Sequence, residues 1–253
     1  SDALKIVKKL DKSGYEAYLV GGCIRDLLLG YAPKDFDIAT NATPEQIQKI
    51  FKRSRIIGRR FKLVHIMFSA RKFIEVATFR SSKTPPTSTK GMVLRDNFYG
   101  SIKDDVFRRD FTINGLYFDV KNSQVIDYVE GLNDLKKLQI NMIGDPYERF
   151  EEDPVRMIRA VRFKTKLKAS INSSLNKSIV KNAHLIANVP PARLYEEVIK
   201  LFHNENSLEV FRELSNLGLL KYLFSQTQED DFVSISLQNT SERIKIGSSV
   251  TPA

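Results

Sequence analysis

Asp35 and Asp37 stand one residue apart in Asp35-Phe36-Asp37-Ile38, a segment that alternates polar and apolar like a half-buried strand. A period of two points both carboxylates to one face, close enough to share divalent cations. Paired carboxylates suit magnesium, which takes one or two protein oxygens and leaves the rest of its octahedron to water and substrate phosphates. Such a donor set serves two-metal phosphoryl and nucleotidyl transfer. On its own the pair also reads as two solvated carboxylates at a strand end. Glu75 lies mid-strand in Phe73-Ile74-Glu75-Val76-Ala77. A metal there would remove the cost of an idle carboxylate on a buried face; an edge strand with a wet polar face is the alternative. Upstream, Gly21-Gly22 offers bare backbone N–H groups to a triphosphate, with Arg25 one turn into the next helix. A tight turn without ligand, and for Arg25 a pair with Asp26 or a surface contact, are the alternatives.

Two basic groups add to this. In the helix expected from Pro154, apolar Met157, Ile158 and Val161 share one face, and Arg156, Arg159 and Arg162 fall on the opposite one. Arginine offers planar, bidentate contacts to phosphates or base edges, and Asp153 with an Arg one turn away has the groups to read a base edge. A solvated charged face is the other reading. Lys49, Lys52, Arg53, Arg55, Arg59, Arg60 and Lys62 follow one another without an intervening acid, as in a phosphate-backbone track or a solubilising face. His65 alternates with apolar neighbours and reads as a packed histidine. Cys23 has no local His and no zinc spacing, and is assigned no chemistry.

The elements that must hold these residues can be read from periodicity and caps. Leu4, Ile6, Val7 and Leu10 predict a helix stopped by Ser13-Gly14, and Ala17 to Val20 a strand. A short helix from Ile24 to Leu29 closes at Gly30, and Thr43-Pro44-Glu45 opens a helix running to about Lys52. Phe61 to Phe68 and Phe73 to Phe79 read as two strands joined by a hairpin, and Ser81 to Lys90 as a mobile loop of Ser, Thr, Pro and Lys. Ser101 and Asp104 form a capping box before a helix through Arg109, with strands at Leu116 to Val120 and Gln124 to Val129. From Asp145 the pattern turns helical around Pro154 to Leu167, Leu175 to Ala187, Ala192 to Phe202 and Leu208 to Leu223. Ser225 to Ala253 shows no clear period and reads as a frayed tail or part of something longer.

Composition limits the classes open to this chain. Its 253 residues, 42% hydrophobic, make one or two folded domains and exclude wholesale disorder. A single cysteine excludes an internal disulfide and favours a reducing compartment. There is no apolar run of membrane-spanning length, and Ser1 to Leu10 does not resemble a secretory signal, so a soluble, cytoplasmic protein with no membrane partner is expected. A net charge of +10 points to a polyanionic partner.

Four ordered motifs carry a resemblance: Leu19-Val20-Gly21-Gly22-Cys23-Ile24-Arg25-Asp26, then Asp35-Phe36-Asp37, then Arg108-Arg109-Asp110-Phe111-Thr112-Ile113-Asn114, then Glu152-Asp153-Pro154-Val155-Arg156 through Arg162-Phe163. They resemble the class II tRNA nucleotidyltransferase and bacterial poly(A) polymerase family over roughly Ala17 to Phe224. The resemblance implies an α+β fold: a polymerase-β-type nucleotidyltransferase head, a mixed sheet with flanking helices over residues 1–144. An all-helical neck that binds nucleotide and RNA would follow at 145–224, and 225–253 would be a tail or the start of a truncated body. It implies that Asp35 and Asp37 bind two magnesium ions and that Glu75 is the third catalytic carboxylate. Gly21, Gly22 and Arg25 would meet the triphosphate, and Arg109 and Asp110 the nucleotide's phosphates or sugar. Asp153 and Arg156 would read the base edge, and Arg159 and Arg162 would complete the pocket; from their charge alone, Lys52, Arg53, Arg55, Arg59, Arg60 and Lys62 are the expected RNA-binding residues.

The implied reaction is attack of an RNA 3′-hydroxyl on the α-phosphate of ATP. Gly58-Arg59-Arg60-Phe61-Lys62-Leu63-Val64-His65, Leu94-Arg95-Asp96-Asn97 and Phe98-Tyr99-Gly100-Ser101 look like the polyadenylating subgroup, where CCA-adding members carry a Gly-x-Lys-His-Gly-Thr type of segment. Gly115 departs from the Ser or Ala usual after the third motif. The expectation is a monomer that polyadenylates single-stranded RNA or mRNA 3′ ends. CCA addition to tRNA is the alternative, and an idle RNA-binding protein on the same fold is a second.

Overall fold

The computed structural model describes residues 2–58, 62–69, 72–81 and 99–248. The chain divides into two compact units, Ser1–Leu135 and Lys136–Ala253. Expectations about Arg59 and Arg60, most of the Ser81 to Lys90 loop and Leu94 to Phe98 lie outside the described residues.

In the first unit α1 (Asp2–Lys12) buries Ala3, Ile6, Val7 and Leu10, one side of a helix with apolar residues three and four apart. It packs on β1 (Ala17–Val20) and β2 (Asp37–Thr40). Between those strands runs α2 (Gly22–Leu28). Thr43 caps α3 (Pro44–Ile50) in a capping box with Gln46, with Pro44 at the first helical position. The helix therefore stops short of Lys52. The basic stretch after it contains β3 (Ser54–Ile57), a strand the charge pattern concealed. Then come β4 (Leu63–Met67), β5 (Phe73–Thr78) and α4 (Ile102–Phe107), the last opened by the Ser101–Asp104 capping box. A 3-10 turn at Thr112–Asn114 leads to β6 (Tyr117–Asp119), β7 (Gln124–Ile126) and α5 (Gly131–Lys136). Gly131 is fixed by packing: a Cβ there would meet the Thr112 carbonyl oxygen at 2.2 Å.

Among the described residues seven strands form one mixed sheet in the order β3-β4-β5-β2-β1-β6-β7, in which only β2 and β5 pair in parallel. One face carries Ile38, Val64, Ile66, Ile74 and Val76, all buried, with α3 packed on β3 and β4. On the other, Val20, Ala39, Phe79 and Tyr117 form a core with Val106 of α4. Strand β2 begins at Asp37, so Asp35 belongs to the irregular stretch before it rather than to the strand.

The second unit is helical apart from β8 (Gln139–Ile140) paired with β9 (Ser170–Ile171). Its helices are α6 (Pro146–Glu152), α7 (Val155–Leu167), α8 (Ser173–Asn182), α9 (Pro191–Phe202), α10 (Ser207–Asn216), α11 (Leu220–Leu223) and α12 (Asp231–Lys245), with a 3-10 segment at Ala183–Asn188. α7 packs against α6, α9 and α10. The expected helix Leu208 to Leu223 is broken at Gly218, whose φ of +69° ends α10. The expected frayed tail instead contains α12, which packs on α10, with the Ser207 N–H donating to Ser241 Oγ at 3.1 Å. Mostly polar residues over α12 hid its period. Among the described residues no helix is long and apolar enough to cross a membrane.

Candidate active site

β1 ends where β2 begins, with the first half of β5 alongside, and register does the positioning. Val20 lies opposite Asp37, Asp37 opposite Glu75, and Glu75 opposite His65 of β4. Beside them opens a cleft of about 280 Å³ that Asp37, Glu75, Arg80, Asp105, Arg108 and Arg109 line. Asp37 is accessible at its edge, yet protein surrounds it on several sides. Lost hydration pushes its pKa up to about 6, with the charges of Glu75 and Asp35 adding to the rise and Arg109 opposing it. Crowded carboxylates short of compensating charge are the chemistry of a cation site, and Asp35, Asp37 and Glu75 fit magnesium in that respect. Among the described residues no three acidic, His or Cys side chains converge tightly enough to hold an ion unaided.

Gly21 turns the chain from β1 into α2 with φ +76° and ψ −132°, a conformation closed to side chains with a Cβ. A Cβ there would also meet Arg109 Nη1 at 3.2 Å, so the missing side chain lets the guanidinium approach the backbone. Arg109 donates from Nε to Tyr117 Oη (2.8 Å) and from Nη2 to Asp105 Oδ2 (3.2 Å). Tyr117 donates to that same Asp105 carboxylate, and its own pKa is raised, first by burial. Asp105 lies four residues before Arg109, a spacing that pairs side chains across one helical turn. Tyr117 arrives from the neighbouring strand, with no local signal.

Arg25 is only 3% exposed. It donates to Asp26 Oδ1 at 2.6 and 2.8 Å and to Asn114 Oδ1 at 2.6 Å. Asn114 donates in turn to Asp110 Oδ1 at 3.1 Å, which also accepts the Phe111 N–H. The structure thus places Arg25 within the head, where it orders the turn that carries Asp110. Gly22 begins α2 beside it. Of the basic run, Lys52, Arg53 and Arg55 are exposed along the sheet edge, whereas Lys62 pairs with Glu45 at 2.9 Å, an acid outside the run.

In the helical unit the arginines of α7 are half-buried rather than solvated. Arg156 donates to the Arg149 carbonyl (2.6 Å) and to Glu152 (2.8 Å). Asp153 accepts from the Val155 N–H (3.2 Å) and from Arg193 of α9 (2.5 Å). The two expected base readers therefore engage different partners. Arg159 and Arg162 flank the buried Glu197 of α9 at 3.5 and 3.6 Å, and both lie over the Phe163 ring. Glu197 and Arg193 act across a helix pair far apart in sequence, so local spacing held no sign of them.

Comparison with known proteins gives two family matches: the model described as "Poly A polymerase head domain" over residues 17–141, and that described as "Probable RNA and SrmB-binding site of polymerase A" over residues 170–230. Poly(A) polymerase I of Haemophilus influenzae is 46% identical over 270 aligned positions, covering 100% of this chain and 60% of that protein. A CCA-adding enzyme of Lactobacillus delbrueckii subsp. bulgaricus is 35% identical over 225 positions, covering 87% of this chain and 54% of that one. In structure, the Bacillus stearothermophilus CCA-adding enzyme in complex with CTP aligns with a TM-score of 0.75 at 32% identity, over 94% of this chain and 56% of that one. The chain spans about three fifths of the length of the poly(A) polymerases it matches.

Proposed function

The chain belongs to the class II tRNA nucleotidyltransferase and bacterial poly(A) polymerase family, and on that basis we propose that it adds AMP from ATP to RNA 3′ ends without a template. What carries the reading is the register that sets Asp37 beside Glu75 in a cleft with Arg109. Similarity to Poly(A) polymerase I over the whole chain supports polyadenylation over CCA addition. The RNA 3′-hydroxyl attacks the α-phosphate, the bond to the β-phosphate breaks, and pyrophosphate leaves. Asp35 and Asp37 would hold magnesium, with Glu75 beside them as the third carboxylate. Two magnesium ions, when bound, would stabilise the attacking and leaving oxygens. Arg109, braced by Asp105 and Tyr117, presents a fixed positive charge to the phosphates, and Asp110 would meet the sugar. In the helical unit Asp153 accepts and Arg156 donates, the pattern an adenine edge requires.

The second reading, CCA addition, draws on the similarity to CCA-adding enzymes in sequence and structure. Extension of a generic RNA oligonucleotide and of a tRNA lacking CCA, with magnesium and ATP, CTP or both, separates the two. Long ladders with ATP alone on both RNAs are expected; addition that stops after C, C and A on the tRNA alone would overturn the assignment.

A further inference from the structure

The row of partners through the reaction centre continues outward across the sheet. Beyond Asp37 and Glu75 it passes His65 on β4 and Arg55 on β3, each directly opposite the last. Cross-strand partners share a face, so these four side chains stand on the same side, with Phe73 two residues from Glu75 on that side as well. Phe73 is 48% exposed. Its ring stacks on His65 with centroids 4.1 Å apart and planes 12° apart, and His65 Nε2 lies 3.5 Å from Glu75 Oε2. The stack is thus anchored behind to a residue of the site, with aromatic surface left toward solvent. Next to it Arg55, with Lys52 and Arg53, makes the sheet edge basic. A row running from carboxylates through an aromatic surface to arginine has the parts of a single-stranded nucleic-acid site: a π-surface for a base and cations for the phosphates behind it.

Resting on the reading of the chain as an RNA nucleotidyltransferase, we propose that Phe73, backed by His65, is the platform on which the 3′-terminal base of the RNA acceptor stacks, with Arg55 on the adjoining phosphate. The seat sets the terminal ribose over Asp37 and Glu75 and ignores base identity, because every base offers a π-face.

The test uses the whole chain and an RNA oligonucleotide ending in 2-aminopurine with a 3′-deoxy terminus, whose fluorescence falls on stacking without any reaction. Wild type should quench it, Phe73→Ala should lose the quench, and Phe73→Trp should keep it. In extension assays Phe73→Ala should raise the KM for RNA about tenfold, the size of one lost base–aromatic stack, with the KM for ATP unchanged; Phe73→Trp should restore it. A quench and an RNA KM that Phe73→Ala leaves unchanged would overturn the platform while wild-type extension upholds the enzymatic reading. Wild type that quenches the probe but extends no RNA would overturn that reading, with the stacking surface intact.

Discussion

Asp37 and Glu75 are direct partners across the parallel pairing of β2 with β5, so backbone hydrogen bonds fix the two residues that bear these like charges on strands about 4.8 Å apart. The sheet enforces a repulsion that the isolated residues would relax by moving apart.

Burial first, and that repulsion with it, make Asp37 a liability for the metal-free fold. Asp37 has its pKa pushed from the usual 3.8 to about 6. The folded state therefore binds the proton more tightly than the unfolded one, and this group's contribution to stability falls as pH rises between about 4 and 6. Asp37→Asn should abolish nucleotide addition yet raise the melting temperature in chelator at neutral pH, with the gain vanishing near pH 4. Thermal melts across that range check it; retained activity, or a lower melting temperature at neutral pH, would contradict the assignment.

Gly21→Ala should destabilise the head by ~1–3 kcal/mol, because alanine would occupy a glycine-only conformation and its methyl would press on Arg109. Denaturant unfolding measures the loss. Activity should fall further than stability accounts for, since Arg109 moves with it.

Tyr117→Phe removes the hydroxyl that links Arg109 to Asp105. A buried charged pair losing one hydrogen-bond partner should cost about 1–3 kcal/mol, and the KM for ATP should rise while the KM for RNA stays put. Steady-state kinetics with each substrate varied in turn separates the two.

Arg156→Ala should reduce the preference for ATP over CTP about tenfold, the worth of one charge-assisted hydrogen bond, and leave RNA affinity unaltered. Competition between the two nucleotides on one RNA reads this directly; an unchanged preference would remove Arg156 from base selection.

Much of the head was legible because its signals are local. Thr43-Pro44 and Ser101–Asp104 cap the helices they promised, and the apolar strands paired in one sheet. What stayed hidden depends on the third dimension. β3 lies within a run of Lys and Arg whose charges mask its alternation. Arg25 reads as a phosphate ligand on a helix yet sits inside with Asn114, a partner from much later in the chain. Glu197 shows its place between Arg159 and Arg162 only once α9 lies on α7.

The parallel pairing of β2 with β5 also bears on the order of folding. β3, β4 and β5 pair antiparallel with their neighbours in the chain, the local contacts that favour early folding, whereas the parallel neighbour of β2 lies beyond α3 and that whole meander. The strand that completes the centre of the sheet, β2, is the one that brings Asp37 to Glu75. A partly folded head therefore has no assembled pair of carboxylates, and a nascent chain carries no competence for chemistry until that non-local pairing has closed.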